Sequence, residues 1–319
     1  MPTPHRIDTH HHIFPPKWLA EERDRILDGA QAVPREQQLN WSPKAAIEGM
    51  DAAGTATAII SISTPGVWFG NAEQARRLAR VCNDYGAQMG RDFKGRFGMF
   101  AALPLPDVEG SLREIEYALD VLKLDGIGLL TSYGDTWPGN PKYAPVFDEL
   151  NRRKAVVYFH PTAPTCCNTL VPGIASAVIE FPTDSTRCIT NLLFSGTFTR
   201  CPGIRFIFSH GGGTLPMLAG RIEGALKRPV AREAAARNPN GALHEFKKLF
   251  YDVASVTSSP VSMGALLALV PLSQVLFGSD FPFCGFDQFA KELQLLGLSA
   301  AQLAAIERQN ALRLFPKYA

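Results

Sequence analysis

The sequence has no long apolar run, no cluster of basic residues and no Cys-x-x-Cys pair, and each gap removes a class of function. No stretch approaches the roughly 20 consecutive apolar residues that span a bilayer. The first residues also lack the basic-then-apolar order of a signal peptide, so we expect no membrane partner and a cytoplasmic setting. Lys plus Arg number 32 against 30 Asp plus Glu, a formal net charge of +2. The basic residues are scattered rather than drawn into a stripe, which argues against a nucleic-acid partner. None of the six cysteines is spaced as a zinc thiolate pair or a redox motif. Vicinal Cys166 and Cys167 cannot readily bridge each other, and reduced thiols are expected. No Pro/Gly/Ser-rich linker splits the 319 residues, so one domain, 1–319, is expected. With 46% hydrophobic and 19% charged residues, the composition is that of an ordinary globular enzyme with a substantial core.

What is present is organised around Arg6-Ile7-Asp8-Thr9-His10-His11-His12-Ile13-Phe14. In a strand successive side chains alternate faces, so His10 and His12 share one face and His11 takes the other. Imidazole is the commonest neutral ligand of zinc and similar divalent ions, and two on one rigid strand make half of a site. An expression-tag remnant would be longer and would not sit inside a strand-like apolar run.

After this strand Pro15 and Pro16 end the extended run, and residues 17–42 form a small, irregular or partly helical insertion. Ser42 as N-cap and Pro43 at the first helical position open a helix over 43–53, closed by Gly54. An uncharged, β-branched run predicts a strand over 56–63, and further apolar runs predict strands over 96–105, 126–131, 155–160, 204–210, 249–254 and 274–280. Helical patterns separate them over 72–90, 107–122, 141–153, 173–200, 215–248 and 260–270. Eight strands alternating with helices predict a (β/α)₈ barrel, with a doubly wound open sheet as the alternative. The polar residues favour the barrel. His10, His12, His160, His210 and Asp280 all fall at the C-terminal ends of strand patterns one, five, six and eight, ends that converge on one mouth only when the sheet closes.

Three imidazoles and a carboxylate can hold one divalent ion with room for water or substrate. His10, His12, His160 and Asp280 are the expected ligands. Zinc suits that set, and ligand type leaves manganese as the alternative. His210, just before Gly211-Gly212-Gly213, is either a fourth nitrogen ligand or an acid/base group beside the ion. Strand four ends without a lysine to bridge two metals, so one is expected. His5, His11 and His244 remain ordinary residues.

At these residues the sequence resembles the amidohydrolase superfamily, and within it the nonhydrolytic decarboxylases of aminocarboxymuconate semialdehyde and γ-resorcylate. The resemblance spans nearly the whole chain: Asp8-Thr9-His10-His11-His12, then Tyr158-Phe159-His160-Pro161, then Ser209-His210-Gly211-Gly212-Gly213 leading to Gly220-Arg221-Ile222, and finally Gly278-Ser279-Asp280-Phe281-Pro282. It implies an amidohydrolase-like barrel, the four metal ligands named above, His210 as acid/base group, and Arg221 as a carboxylate-binding residue reaching in from a neighbouring subunit of a homodimer or homotetramer. Phe283 matches a position that faces the substrate ring. Trp68, in the loop 63–70, offers further aromatic surface. A second arginine that binds a second carboxylate in the semialdehyde enzyme has no secure counterpart here, although Arg35 lies in that region, so a substrate with one carboxylate is expected.

The expected reaction is metal-dependent, nonoxidative decarboxylation of an ortho-hydroxy aromatic acid such as 6-methylsalicylate or a resorcylate, with Asp280 or His210 protonating the ring. The same ligands would serve hydrolysis of a lactone or amide, and hydration of an unsaturated dicarboxylate is a third possibility. A catalytically inactive barrel acting as a binding protein is disfavoured, because no expected ligand is missing.

Overall fold

The computed structural model describes residues 5–29, 35–167 and 170–319. Eight parallel strands follow one another around the sheet in chain order: β1 (Arg6–His12), β2 (Thr55–Ser61), β3 (Phe97–Ala102), β4 (Gly126–Leu130), β5 (Val156–His160), β6 (Arg205–Phe208), β7 (Phe250–Asp252) and β8 (Val275–Leu276). The seam between β8 and β1 is drawn together by backbone bonds from Thr9 N to Phe277 O, from Asp280 N to His10 O and from His12 N to Phe281 O. The result is a nearly closed barrel with helices outside it, as the alternating pattern predicts.

Capping chemistry sets the first outer helix, Pro43–Ala53. Ser42 Oγ accepts from Ala45 N, and Gly54 closes the helix in the left-handed conformation at φ 71°. Within the insertion after β1, Pro16–Glu21, Arg23–Gly29 and Arg35–Leu39 are helical, while 30–34 lie outside the described residues. Among the described residues no helix is long and apolar enough to cross a membrane.

The barrel interior is a packed plug, not a channel. Ile7, Ile59, Phe100, Val156, Tyr158, Ile207, Phe250 and Leu276 meet inside it, joined by Phe315 from the C-terminus. Ile7 and His10 both face inward although an odd number of positions separates them. A register shift between Asp8 and His11 on β1 accommodates this. Apolar side chains therefore fill the lower barrel, and the histidines take the layer above.

The last three strands are shorter than their apolar runs. β6 stops at Phe208 and β8 at Leu276, so His210 and Asp280 stand in the turns beyond, at φ 52° and 54°. Such values are uncommon for residues with a side chain, and they aim these two back over the barrel mouth. Gly278 makes the approach of β8 to its neighbours possible: a Cβ there would lie 2.7 Å from His10 Cβ and 3.1 Å from Asp252 Cβ.

Candidate metal centre and active site

His10 and His12 end β1, His160 ends β5, and Asp280 follows β8. One donor atom from each of the four lies within 4.8 Å of the others, and all four residues are buried. His10 Nε2 is 3.1 Å from His12 Nε2 and 3.1 Å from Asp280 Oδ1, which is 3.3 Å from His12 Nε2. Asp280 Oδ1 is enclosed yet has no aligned hydrogen bond to any described group. Buried lone pairs gathered round one point, with an acceptor left unsatisfied, are the arrangement a divalent ion fits.

A polar group faces the second nitrogen of each ring, as metal-ligating imidazoles require; for His12 and His160 it is a hydrogen bond, whereas the His10 nitrogen and its carboxylate are close but not aligned. Asp252 Oδ2 lies 3.0 Å from His10 Nδ1, Ser61 Oγ lies 3.4 Å from His12 Nδ1, and His160 Nδ1 donates to Pro161 O at 2.8 Å. His10 and His160 therefore present a bare Nε2 to the centre when neutral. Asp252 was not among the residues singled out from sequence. The apolar run predicted strand seven through residue 254 and so hid this carboxylate inside it, whereas β7 ends at Asp252 itself. Its other oxygen accepts from His210 N at 3.0 Å and Ala254 N at 3.1 Å.

Burial alone would lower the pKa of His10, but the facing Asp252 and Asp280 carboxylates overcome it and push it up to about 10. Burial pulls His12 down to about 4 and His160 well below the usual histidine range, reinforced by the neighbouring imidazoles. Burial also works against an ionised Asp280, yet His10 and His12 hold it well below the usual carboxylate range.

His210 stands across the mouth. Its Nδ1 donates to Ala254 O at 3.2 Å, leaving Nε2 toward the centre, 3.9 Å from Asp280 Oδ2. Burial lowers its pKa, so the ring is held neutral and ready to accept a proton. A cavity of about 460 Å³ opens over these groups, lined by His160, His210, Asp280, Phe181, Val256 and Phe283 among others. Phe283 packs against His12 with ring centres 5.2 Å apart.

The other two residues expected to touch substrate lie apart from this cavity. Trp68 lines a narrower adjoining cleft with Ser61, Tyr158 and His160. Arg221 is exposed on the helix Leu215–Leu226 and borders a separate outer groove with Trp137 and Arg187. It makes no ion pair among the described residues. His11 faces away from the centre, against Phe281 and Phe286, with Nδ1 3.2 Å from Asp8 Oδ2.

A parallel barrel with histidines on β1 and β5 and an aspartate after β8 defines a class of metal-dependent enzymes, and the chain belongs to the amidohydrolase family, whose profile matches residues 7–317. Its relatives include a 6-methylsalicylic acid decarboxylase of Penicillium expansum, 32% identical over 98% of this chain and 96% of that protein. A decarboxylase of Aspergillus niger is 33% identical over 98% of this chain and 88% of its own length. Among solved structures, an amidohydrolase matches with a TM-score of 0.88 at 25% identity, covering 98% of this chain and 99% of that one. A 2,6-dihydroxybenzoate decarboxylase complexed with 2,6-dihydroxybenzoate shares the fold at a TM-score of 0.84 and 23% identity, covering 99% and 100%.

Proposed function

We propose that the protein is a nonoxidative decarboxylase of an ortho-hydroxy aromatic acid, with 6-methylsalicylate as the first substrate to test. The observation that carries this reading is the joining of one cavity to two functions: a donor set suited to a divalent ion, and His210 facing it across a space walled by Phe181, Val256 and Phe283. His10, His12, His160 and Asp280 would hold the ion, with zinc the first choice for three imidazoles and a carboxylate and manganese the alternative. When bound, the ion would supply positive charge that stabilises the negative oxygens of the acid.

The protein's own groups do the rest. Phe283 and Phe181 pack on the ring and exclude water from the carbon that bears the carboxylate. His210 Nε2, left bare by the Ala254 contact, first takes up a proton from solvent as the substrate enters and then passes it to that carbon, with Asp280 Oδ2 beside it. The C–C bond to the carboxylate then breaks, its electron pair returns to the ring, and CO₂ leaves. No organic cofactor is needed, because the protonated ring takes up the electron pair.

Arg221 fits a role outside its own subunit. It is exposed beside Met217 and Leu218, also exposed, on the helix Leu215–Leu226, which supports a homodimer or larger assembly in which Arg221 reaches a partner's substrate. The six unpaired cysteines suit a reducing, cytoplasmic setting. The test is CO₂ release by the metal-loaded protein across a panel of hydroxybenzoates, run in D₂O. We expect an ortho-hydroxy acid to give CO₂ and a phenol carrying one deuterium at the vacated carbon. Turnover of a lactone or amide panel with no CO₂ from any acid would replace this reading with hydrolysis.

A further inference from the structure

The three imidazoles of the centre are oriented in different ways, and the difference points to a residue outside the cavity. His10 is faced by a side-chain carboxylate and His12 by a hydroxyl, but His160 Nδ1 donates to the carbonyl of its own neighbour, Pro161. The aim of His160 therefore depends on how that one peptide unit is set. The Pro161 carbonyl and the Thr162 N–H belong to the same unit, and planarity makes them move together. Thr162 N donates to Thr131 Oγ1 at 3.1 Å. Thr131 N in turn donates to His160 O at 3.0 Å, so Thr131 grips the chain on both sides of Pro161.

The Thr162 N–H can only donate, so Thr131 Oγ1 must keep a lone pair on it, and something must draw the hydroxyl's own proton away. Asp184 does this. It lies on the helix Ser176–Phe194, is fully buried, and its Oδ2 accepts from Thr131 Oγ1 at 2.6 Å. A carboxylate only accepts, so the Thr131 proton must point to it and the Thr131 lone pairs are left for Thr162. Asp184 also accepts from Ser132 Oγ at 2.9 Å and from Trp137 Nε1 at 2.7 Å. A carboxylate buried this deeply, with Arg187 no nearer than 4.0 Å, is a poor device for stability alone, since an apolar residue of similar volume would do as well.

We infer that Asp184 is a positioning residue for the metal centre, acting through Thr131 and the Pro161–Thr162 peptide to hold His160 Nε2 on the ion. The inference rests on His160 being a ligand, and the test separates the two. Binding of Co²⁺ to the chelator-stripped protein is measured by titration and by the visible ligand-field spectrum of the bound ion, for wild type and four variants. Asp184→Asn and Thr131→Val are each expected to weaken Co²⁺ binding by about tenfold or more, the usual effect of losing an orienting partner, and to alter the spectrum. Trp137→Phe removes the third donor to Asp184 without touching the path to His160, and is expected to leave affinity and spectrum unchanged while lowering the melting temperature. His160→Ala is the control. If it fails to weaken binding, the ligand assignment falls; if it weakens binding while Thr131→Val and Asp184→Asn match wild type, the positioning role falls. Should Asp184→Asn not fold, Thr131→Val, which preserves shape, decides alone.

Discussion

His210 and His10 carry the sharpest consequences of single-residue environment. His210 offers one nitrogen to the cavity and contributes nothing to the four-donor set, so His210→Asn should retain stoichiometric metal and lose turnover by about 10²- to 10⁴-fold. Metal analysis and CO₂ release on the same sample check this; loss of the metal together with activity would make His210 a ligand instead. His10 holds a proton in the metal-free chain up to about pH 10, against an ordinary 6.5. Its folded pKa is raised, so that proton stabilises the metal-free fold fully below about pH 6.5, and the stabilisation is lost as pH climbs toward 10. At pH 7.5 an entering ion must displace it. Calorimetric titration in two buffers of different ionisation enthalpy should report about one proton released per ion bound, and affinity should rise with pH; no release would show that His10 is neutral before the ion arrives. At this scale the sequence was legible wherever a polar side chain ended an apolar run, as with His12 and His160. Asp252 was missed because its strand stops before its apolar run does, and the run of Val253 and Ala254 continues past it.

Among the elements, β1 and β8 share no ladder and are joined by the three backbone bonds of the seam and a single bridge between His11 and Phe281. Asp8 adds to these. Fully buried, it accepts from His10 N at 3.0 Å and Ser279 N at 2.9 Å with one oxygen, and from Ser279 Oγ at 2.5 Å with the other, which also lies 3.2 Å from His11 Nδ1. Asp8→Ala would strand these donors inside the protein and should cost about 3 kcal/mol, each unsatisfied group contributing about 1–3. Urea denaturation of the metal-free protein measures it; a change below about 1 kcal/mol would show that the backbone bonds alone hold the seam. Element order and number were legible, because apolar runs and capping residues are local signals. The shortness of β6, β7 and β8 was not, because their apolar runs continue past the last paired residue into turns that are themselves buried. Nor was the register shift on β1, which follows from where neighbouring strands place their own bonds.

Over the whole molecule, the closing of the sheet turns residues far apart in sequence into one centre: His10 and Asp280 are separated by 270 positions yet lie 3.1 Å apart at Nε2 and Oδ1. The lower barrel is filled and the upper layer carries the chemistry. Such a centre, gathered from both ends of the chain, should couple metal binding to global stability, because the unfolded chain cannot assemble it. At an ion concentration 100 times Kd the gain is about 2.7 kcal/mol, visible as a melting temperature that rises with added ion and falls again with chelator. A melting temperature indifferent to the ion would mean that the four donors do not bind it in the folded state.

We propose that one ion held by His10, His12, His160 and Asp280 makes the cavity a decarboxylase. The most direct test restores Zn²⁺ or Mn²⁺ stepwise to chelator-stripped protein and measures CO₂ release from 6-methylsalicylate at each step, beside His12→Ala. Activity should rise from near zero and level off at one ion per chain, with His12→Ala flat throughout. Full turnover by the stripped protein, or a His12→Ala variant that follows the wild-type curve, would contradict it.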